Sequence, residues 1–228
     1  MPTVVAVKEH PILFSGPMVR AILAGNKTQT RRALNPQPDD DCGWEGIEGV
    51  GYVPTIYIPE KEDDLPARFA YGRVGDRLWV RESFLPDPPQ TGEWDYYAYT
   101  DGILHNFAAI PEKYRSPRYV LHKATRETDF KDLKWMPSIH MPRWASRITL
   151  EITKIDVQRI QEISEEDARA EGTPTVVVPN DSDEGENAKT IYKRRFRWLW
   201  DSINAKRDSG WCAWDKNPWA WVIEFKRV

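Results

Sequence analysis

The run Gly25-Asn26-Lys27-Thr28-Gln29-Thr30-Arg31-Arg32 places one amine, two hydroxyls and two guanidinium groups in a single turn-like stretch. A lysine beside a threonine can supply a base and a nucleophile, and adjacent arginines can hold an anion or a flat polar ring. The same composition also fits a solvated basic turn. Lys27 follows a helix-ending glycine and leads into a strand-like segment. Desolvated there, its amine would favour the neutral form and act as a base at neutral pH. Exposed there, it would only complement a helix dipole.

Two further positions carry charge where pure structure would not ask for it. Glu171 closes a short acidic-capped helix. A carboxylate at that end meets the negative pole of the helix dipole, at a cost of ~0.3–1 kcal/mol, which favours the protonated form and suits a proton shuttle; an exposed, screened glutamate is the bland alternative. Glu82 shares a strand face with Leu78 and Val80, while Trp79 and Arg81 point the other way. One of these charges must therefore face an apolar layer or a polar pocket. An edge ion pair would satisfy it; a ligand grip by Arg81 is the other reading.

Other chemistries are excluded more firmly. His10, His105, His122 and His140 have no metal-ligand spacing, and no H-x-E or P-C-x-x-C pattern of a zinc nucleobase deaminase exists. The phosphate-binding G-x-x-x-x-G-K-[ST] loop, the G-x-G-x-x-G fingerprint and the G-x-S-x-G elbow are missing too. No metal or cofactor is expected.

The elements that must position these groups follow from periodicity. Pro11 to Phe14 reads as a short buried strand. Ser15 caps a helix with Pro17 in its first turn, Met18, Val19, Ile22 and Leu23 on one side, and Gly25 as terminator. Thr28 to Leu34 reads as a strand. Gly75-Asp76 is a turn launching a strand from Arg77 to Glu82. Trp94 to Thr100 is a plausible strand, and Trp135 to Pro142 is irregular. Ser146 to Arg159 alternates Ile148, Leu150 and Ile152, then resumes at Ile155 and Val157; the slip predicts a bulge. Ser164 to Asp167 starts a helix that Gly172 ends. Asn180 to Asn187 is acidic and predicted mobile. Lys189 to Arg207 is the best helix, with Tyr192, Phe196, Leu199 and Ile203 on its predicted apolar face. Trp219 to Lys226 is a terminal strand.

The 228 residues fit one domain, and the net charge of -3, from 32 basic and 35 acidic side chains, offers no global basic field for duplex nucleic acid. Two cysteines form no disulfide framework, no apolar run approaches a membrane span, and a cytoplasmic setting is expected. Eleven tryptophans imply a core or pocket built from flat rings. Short strands, three helices and long loops predict an α+β domain around a small barrel, residues 1–228 forming one domain with insertions near 35–72, 84–118 and 173–188.

Three motifs together resemble the ASCH domain: Gly25-x-Lys27-x-x-Thr30-x-Arg32, then Gly75-Asp76-x-Leu78-Trp79-Val80-Arg81-Glu82, then Trp221-Val222-Ile223-Glu224-Phe225. The stretch Pro137 to Arg147 resembles the family's larger branch, found in phages and prophages. The resemblance implies a PUA-like small β-barrel with flanking helices. Small bacterial members include amidohydrolases that remove the acetyl group from N4-acetylcytidine without a metal. It places the catalytic lysine and threonine at Lys27 and Thr30, and the glutamate at Glu171, with Glu165 and Glu166 as neighbours. In this reading Lys27 takes a proton from Thr30 or from a water, and Glu171 orients the base or protonates the leaving nitrogen. Arg32, Arg81 or Glu82 would read the pyrimidine edge, Trp79 or Trp144 would stack on it, and Ser138 and His140 would line the pocket. The expected partner is a small modified nucleoside; single-stranded RNA stays open, and no obligate protein partner is evident.

One geometric requirement accompanies this reading. In an ideal strand Lys27 and Thr30 point to opposite faces, so they converge only if Lys27 lies in the turn or the strand is bulged. Two competing functions remain: an RNA-binding module without catalysis, and a phage accessory protein. A binding module should present an extended basic groove, an enzyme a closed pocket.

Overall fold

The computed structural model describes residues 6–39, 41–58, 63–66, 69–89, 107–126, 134–173 and 191–228. The strand expected at Trp94 to Thr100 and the acidic stretch Asn180 to Asn187 lie outside the described residues. The fold is α+β. Its largest sheet contains β1 (Glu9–Leu13), β2 (Gln29–Ala33), β6 (Arg77–Arg81), β9 (Thr149–Arg159) and β10 (Trp219–Arg227), hydrogen-bonded in the order β1-β6-β9-β10-β2. The chain divides into two compact units, one of residues 1–10, 21–78 and 150–228, the other of residues 11–20 and 79–149.

In the first unit β10 is the central strand. It pairs antiparallel with β2, Ile223 opposite Thr30 and Trp221 opposite Arg32, and with β9 on its other side. Along the β9 ladder Glu224 faces Lys154 but Phe225 faces Ile152. Thr153 is therefore the extra residue of a bulge, at the position where the hydrophobic alternation slips. Ile152 and Ile155 are both buried across it.

Two helices cover one face. α3 (Glu165–Ala170) is capped by Ser164, whose hydroxyl accepts from the Asp167 N–H, and it ends at Glu171 and Gly172, the latter at φ +72°. α4 (Ile191–Asn204) is tied to it by the Glu165 carboxylate, which accepts from the Tyr192 and Lys193 N–H groups. The core between them contains Ile160, Ile163, Ala168, Phe196, Trp200 and Trp214. The buried face of α4 runs through Phe196 and Trp200, with Tyr192 against it, rather than through Leu199 and Ile203; Ile203 is exposed. Trp200 brings the larger apolar surface, and its indole N–H finds the Cys212 carbonyl at 2.8 Å.

The segment read as an insertion at 35–72 carries its own antiparallel sheet of β3 (Trp44–Ile47), β4 (Gly51–Ile58) and β5 (Asp63–Pro66). The turn before β6 forms as expected. Gly75 adopts φ +91°, and the Asp76 carboxylate accepts from the Lys8 and Arg73 N–H groups.

In the second unit β7 (Phe84–Pro86) and β8 (Val120–His122) pair antiparallel, and α2 (Lys123–Arg126) follows. Phe84, Val120, Met141 and Ala145 form its core, with Phe107 and Trp144 packed against them. Among the described residues no helix is long and apolar enough to cross a membrane.

Candidate active site

The helix α1 (Gly16–Leu23) ends where the chain turns at Gly25, which adopts φ +75°. Lys27 lies after this turn and before β2. It forms an isolated antiparallel bridge with Glu171, and the Thr28 N–H donates to the Ala170 carbonyl. The C-terminal end of α3 is thereby fastened to the entry of β2. Gly172 makes the approach possible: a Cβ there would lie 2.7 Å from the Lys27 Cβ and 2.8 Å from the Ala21 Cβ.

The Lys27 ammonium is fully buried in side-chain terms, with 0% exposure, and Glu171 retains only 4%. Lys27 Nζ donates to Glu171 Oε2 at 2.9 Å, to the Glu171 carbonyl at 2.7 Å and to the Gln29 carbonyl at 2.9 Å. All three are acceptors, as a nitrogen that donates requires. Burial nonetheless pushes the amine below its ordinary pKa. The Glu171 charge and hydrogen bond oppose that shift, and the charges of Arg32 and Arg31 add to it. An amine made more acidic by its surroundings thus lies in direct contact with a carboxylate.

Glu171 has a second cation on its other oxygen, Arg31 Nη1 at 3.4 Å. Arg31 also donates from Nη2 to Asp167 Oδ2 at 3.1 Å and to Gln158 Oε1 at 3.3 Å. Gln29 Nε2 donates to the Asp167 carbonyl at 2.8 Å. At Asp167 burial pushes the carboxyl up, but hydrogen bonds from Gln29, Arg31 and Ser164 and the Arg31 charge outweigh it, and the net shift is downward. Arg31 belongs to the arginine pair expected to hold an anion, and the anion it meets is a carboxylate of the protein itself; Gln29, Asp167 and Gln158 had been given no role from the sequence. Their signal was positional: Lys27, Gln29 and Arg31 follow strand alternation, and Asp167 precedes Glu171 by one helical turn.

Lys27 and Glu171 therefore come together. Thr30 is buried at 3% exposure but stands on the other side of β2, whose Gln29 and Arg31 side chains face α3. Its cross-strand neighbour is Ile223. Arg32 shares that side, opposite Trp221, and Trp221 packs on Phe69 with ring centres 4.8 Å apart. Arg32 remains close enough for its charge to be felt at Glu171.

The remaining candidates belong to the second unit. Glu82, the residue after β6, is buried at 2% exposure, as are Leu78 and Val80 within the strand. Arg147 grips both its oxygens, Nε to Oε1 at 2.9 Å and Nη2 to Oε2 at 3.1 Å. Nearby His122 sits 3.0 Å from the Ala145 carbonyl through Nε2. Burial pushes His122 below its ordinary pKa; the Glu82 charge and backbone hydrogen bonds oppose this, and the Arg147 charge reinforces it. On the opposite side of β6, Arg81 lies over the Trp79 ring at 5.5 Å. Ser138 and His140 belong to one 3-10 turn, in which His140 is exposed. Trp144 meets Phe107 edge-on at 6.3 Å and packs on the local core. Among the described residues no cluster of His, Cys, Asp and Glu could hold a metal ion.

No family model matches the chain, and no curated protein matches it. Among solved structures, protein EF3133 from Enterococcus faecalis V583, described under the family name DUF984, aligns with 98% of this chain and 82% of its own, at 9% identity and a TM-score of 0.39.

Proposed function

We propose that the chain is a PUA-like barrel of the ASCH type that hydrolyses N4-acylated cytosine nucleosides, with Lys27 and Glu171 as its proton-carrying pair. The observation that supports this is the solvent-free ion pair between an amine and a carboxylate that sequence motifs had selected separately, 144 residues apart. An N4-acyl group is an amide whose nitrogen is conjugated to an electron-withdrawing ring. Its expulsion needs a nucleophile, a base and an acid, but no strong Lewis acid.

The pair can supply both proton transfers. On substrate entry the shared proton moves from Lys27 to Glu171, leaving a neutral amine and a carboxylic acid. The amine takes a proton from a water, whose oxygen bonds to the acyl carbon. The tetrahedral intermediate collapses with rupture of the carbon–nitrogen bond, and Glu171 delivers its proton to the departing N4. The products are the carboxylic acid and the cytosine nucleoside, and the pair returns to its charged state. Water is favoured over Thr30 as nucleophile because Thr30 stands across β2 from Lys27. Arg31 holds the second Glu171 oxygen, so the carboxylate keeps its orientation while its protonation changes. The acyl range is left to the substrate.

The test is incubation with N4-acetylcytidine and bulkier N4-acyl analogues, with cytidine release followed by ultraviolet absorbance in the presence of a chelator. Turnover that survives the chelator supports the reading. Absence of turnover on every N4-acyl cytosine rejects it.

A further inference from the structure

The other end of β2 borders a pocket of about 590 Å³, inside the ~300–1,000 Å³ range of small-molecule sites. Lys27 precedes the strand and Asn35 follows it, so the chain between this pocket and the Lys27–Glu171 pair spans roughly 26 Å when extended. The hydrolase reading does not use it.

Part of its lining is held by hydrogen bonds. Gln37 donates from Nε2 to the Leu34 and Trp219 carbonyls at 2.7 and 3.0 Å, and its Oε1 accepts from the Trp219 N–H at 2.7 Å. Arg159 lies over the Trp219 ring with its guanidinium carbon 4.3 Å from the ring centre, and it donates to the Asn217 carbonyl at 3.1 Å. Asn217 adopts φ +48°, a conformation uncommon outside glycine. Its side-chain oxygen accepts from the Gln161 N–H at 3.0 Å, which holds the turn in that form. Lys216 precedes it and reaches over the Trp211 ring at 5.9 Å. Trp211 is 64% exposed although it lines the pocket. Asp39 adds one carboxylate to the lining.

A guanidinium, an ammonium, an exposed indole face and one carboxylate around a single cavity match the parts of a nucleotide. Arg159 and Lys216 suit a phosphate, Trp211 suits a stacked base, and Asp39 suits a hydroxyl or amino donor. We propose that this pocket is a second site that binds a nucleoside phosphate, free or as part of a single strand. The proposal stands independently of the amidohydrolase reading.

Calorimetric titration of the whole protein tests it, with cytidine 5′-monophosphate, cytidine, inorganic phosphate and a four-nucleotide RNA as probes. The monophosphate is expected to bind more tightly than either of its halves. Trp211→Ala and Lys216→Gln, both on exposed side chains, should each weaken it by about fivefold or more. RNA binding at least tenfold tighter than the mononucleotide identifies a strand as the source, and equal binding identifies the free nucleotide. No binding at millimolar monophosphate, or unchanged binding in both variants, overturns the proposal. Because no step requires acyl hydrolysis, an inactive enzyme leaves this result readable.

Discussion

Replacing Glu171 by glutamine removes the counter-charge of a fully buried ammonium while keeping shape and hydrogen-bonding atoms nearly unchanged. Lys27 keeps its two backbone acceptors, the Gln29 and Glu171 carbonyls at 2.9 and 2.7 Å. Those dipoles do not replace a full charge. The variant folds by taking in Lys27 as the neutral amine. The unfolded chain holds the same lysine protonated, with its ordinary pKa near ~10.4. Removing that proton costs about 1.36 kcal/mol for each pH unit below this value, hence about 4.6 kcal/mol at pH 7 and about 1.9 kcal/mol at pH 9. This agrees with the ~3–5 kcal/mol expected when one partner of a buried pair is removed. The sign is set by linkage: in that range the unfolded state binds more protons, so the variant gains stability as pH rises. Urea unfolding of Glu171→Gln and the unmodified protein at pH 7, 8 and 9 reads the difference directly. The variant's own stability should rise by roughly 1.4 kcal/mol per pH unit. A loss below ~1 kcal/mol at pH 7, or a variant whose stability stays flat to pH 9, would mean that Lys27 is not a buried, charge-dependent group.

Three other outcomes follow from the geometry. Thr30→Ala should retain turnover within about tenfold of the unmodified protein, because the proposed mechanism uses water as the nucleophile; a steady-state loss of about a thousandfold or more would make Thr30 the attacking group. Gly172→Ala forces a Cβ to within 2.7 Å of the Lys27 Cβ at a residue with φ +72°, so it should cost about 2–4 kcal/mol in urea unfolding and depress turnover by displacing the pair. Burial holds His122 below its ordinary value, so it adds a term to stability that falls as pH drops through ~6.5 toward its folded pKa. His122→Gln should flatten that part of the pH–stability curve, and an unchanged slope would remove His122 from the account.

The legible parts of the site were those where a charge disagreed with its local setting. Glu171 at the wrong pole of a helix and Glu82 on an apolar strand face are at odds with local propensity, Lys27 was marked by its place between a helix-ending glycine and a strand, and all three are buried. Their partners were harder to read. Arg31 and Asp167 look like ordinary surface charges until strand alternation and the helical turn are superimposed across a long sequence separation, and Arg147 emerges from an irregular stretch. Thr30 shows the reverse case: motif spacing put it beside Lys27, whereas the period of the strand turns it away. The β9 bulge was visible because a slip in alternation is a local signal. β3, β4 and β5 were hidden because Gly, Pro and Asp dilute the alternation that marks a strand. On α4 the choice between two adjacent apolar stripes was decided by a tryptophan that needed a partner for its indole N–H, which periodicity alone does not weigh.

The central claim is that the Lys27 amine carries the proton chemistry. Lys27→Met fills the same volume without a titratable group and leaves Glu171 its contact with Arg31. The decisive measurement is single-turnover hydrolysis of N4-acetylcytidine by this variant, with folding verified by circular dichroism. The account requires a loss of about a hundredfold or more, the scale of a removed general base, with substrate still bound. A folded Lys27→Met protein that hydrolyses at the rate of the unmodified protein would contradict it.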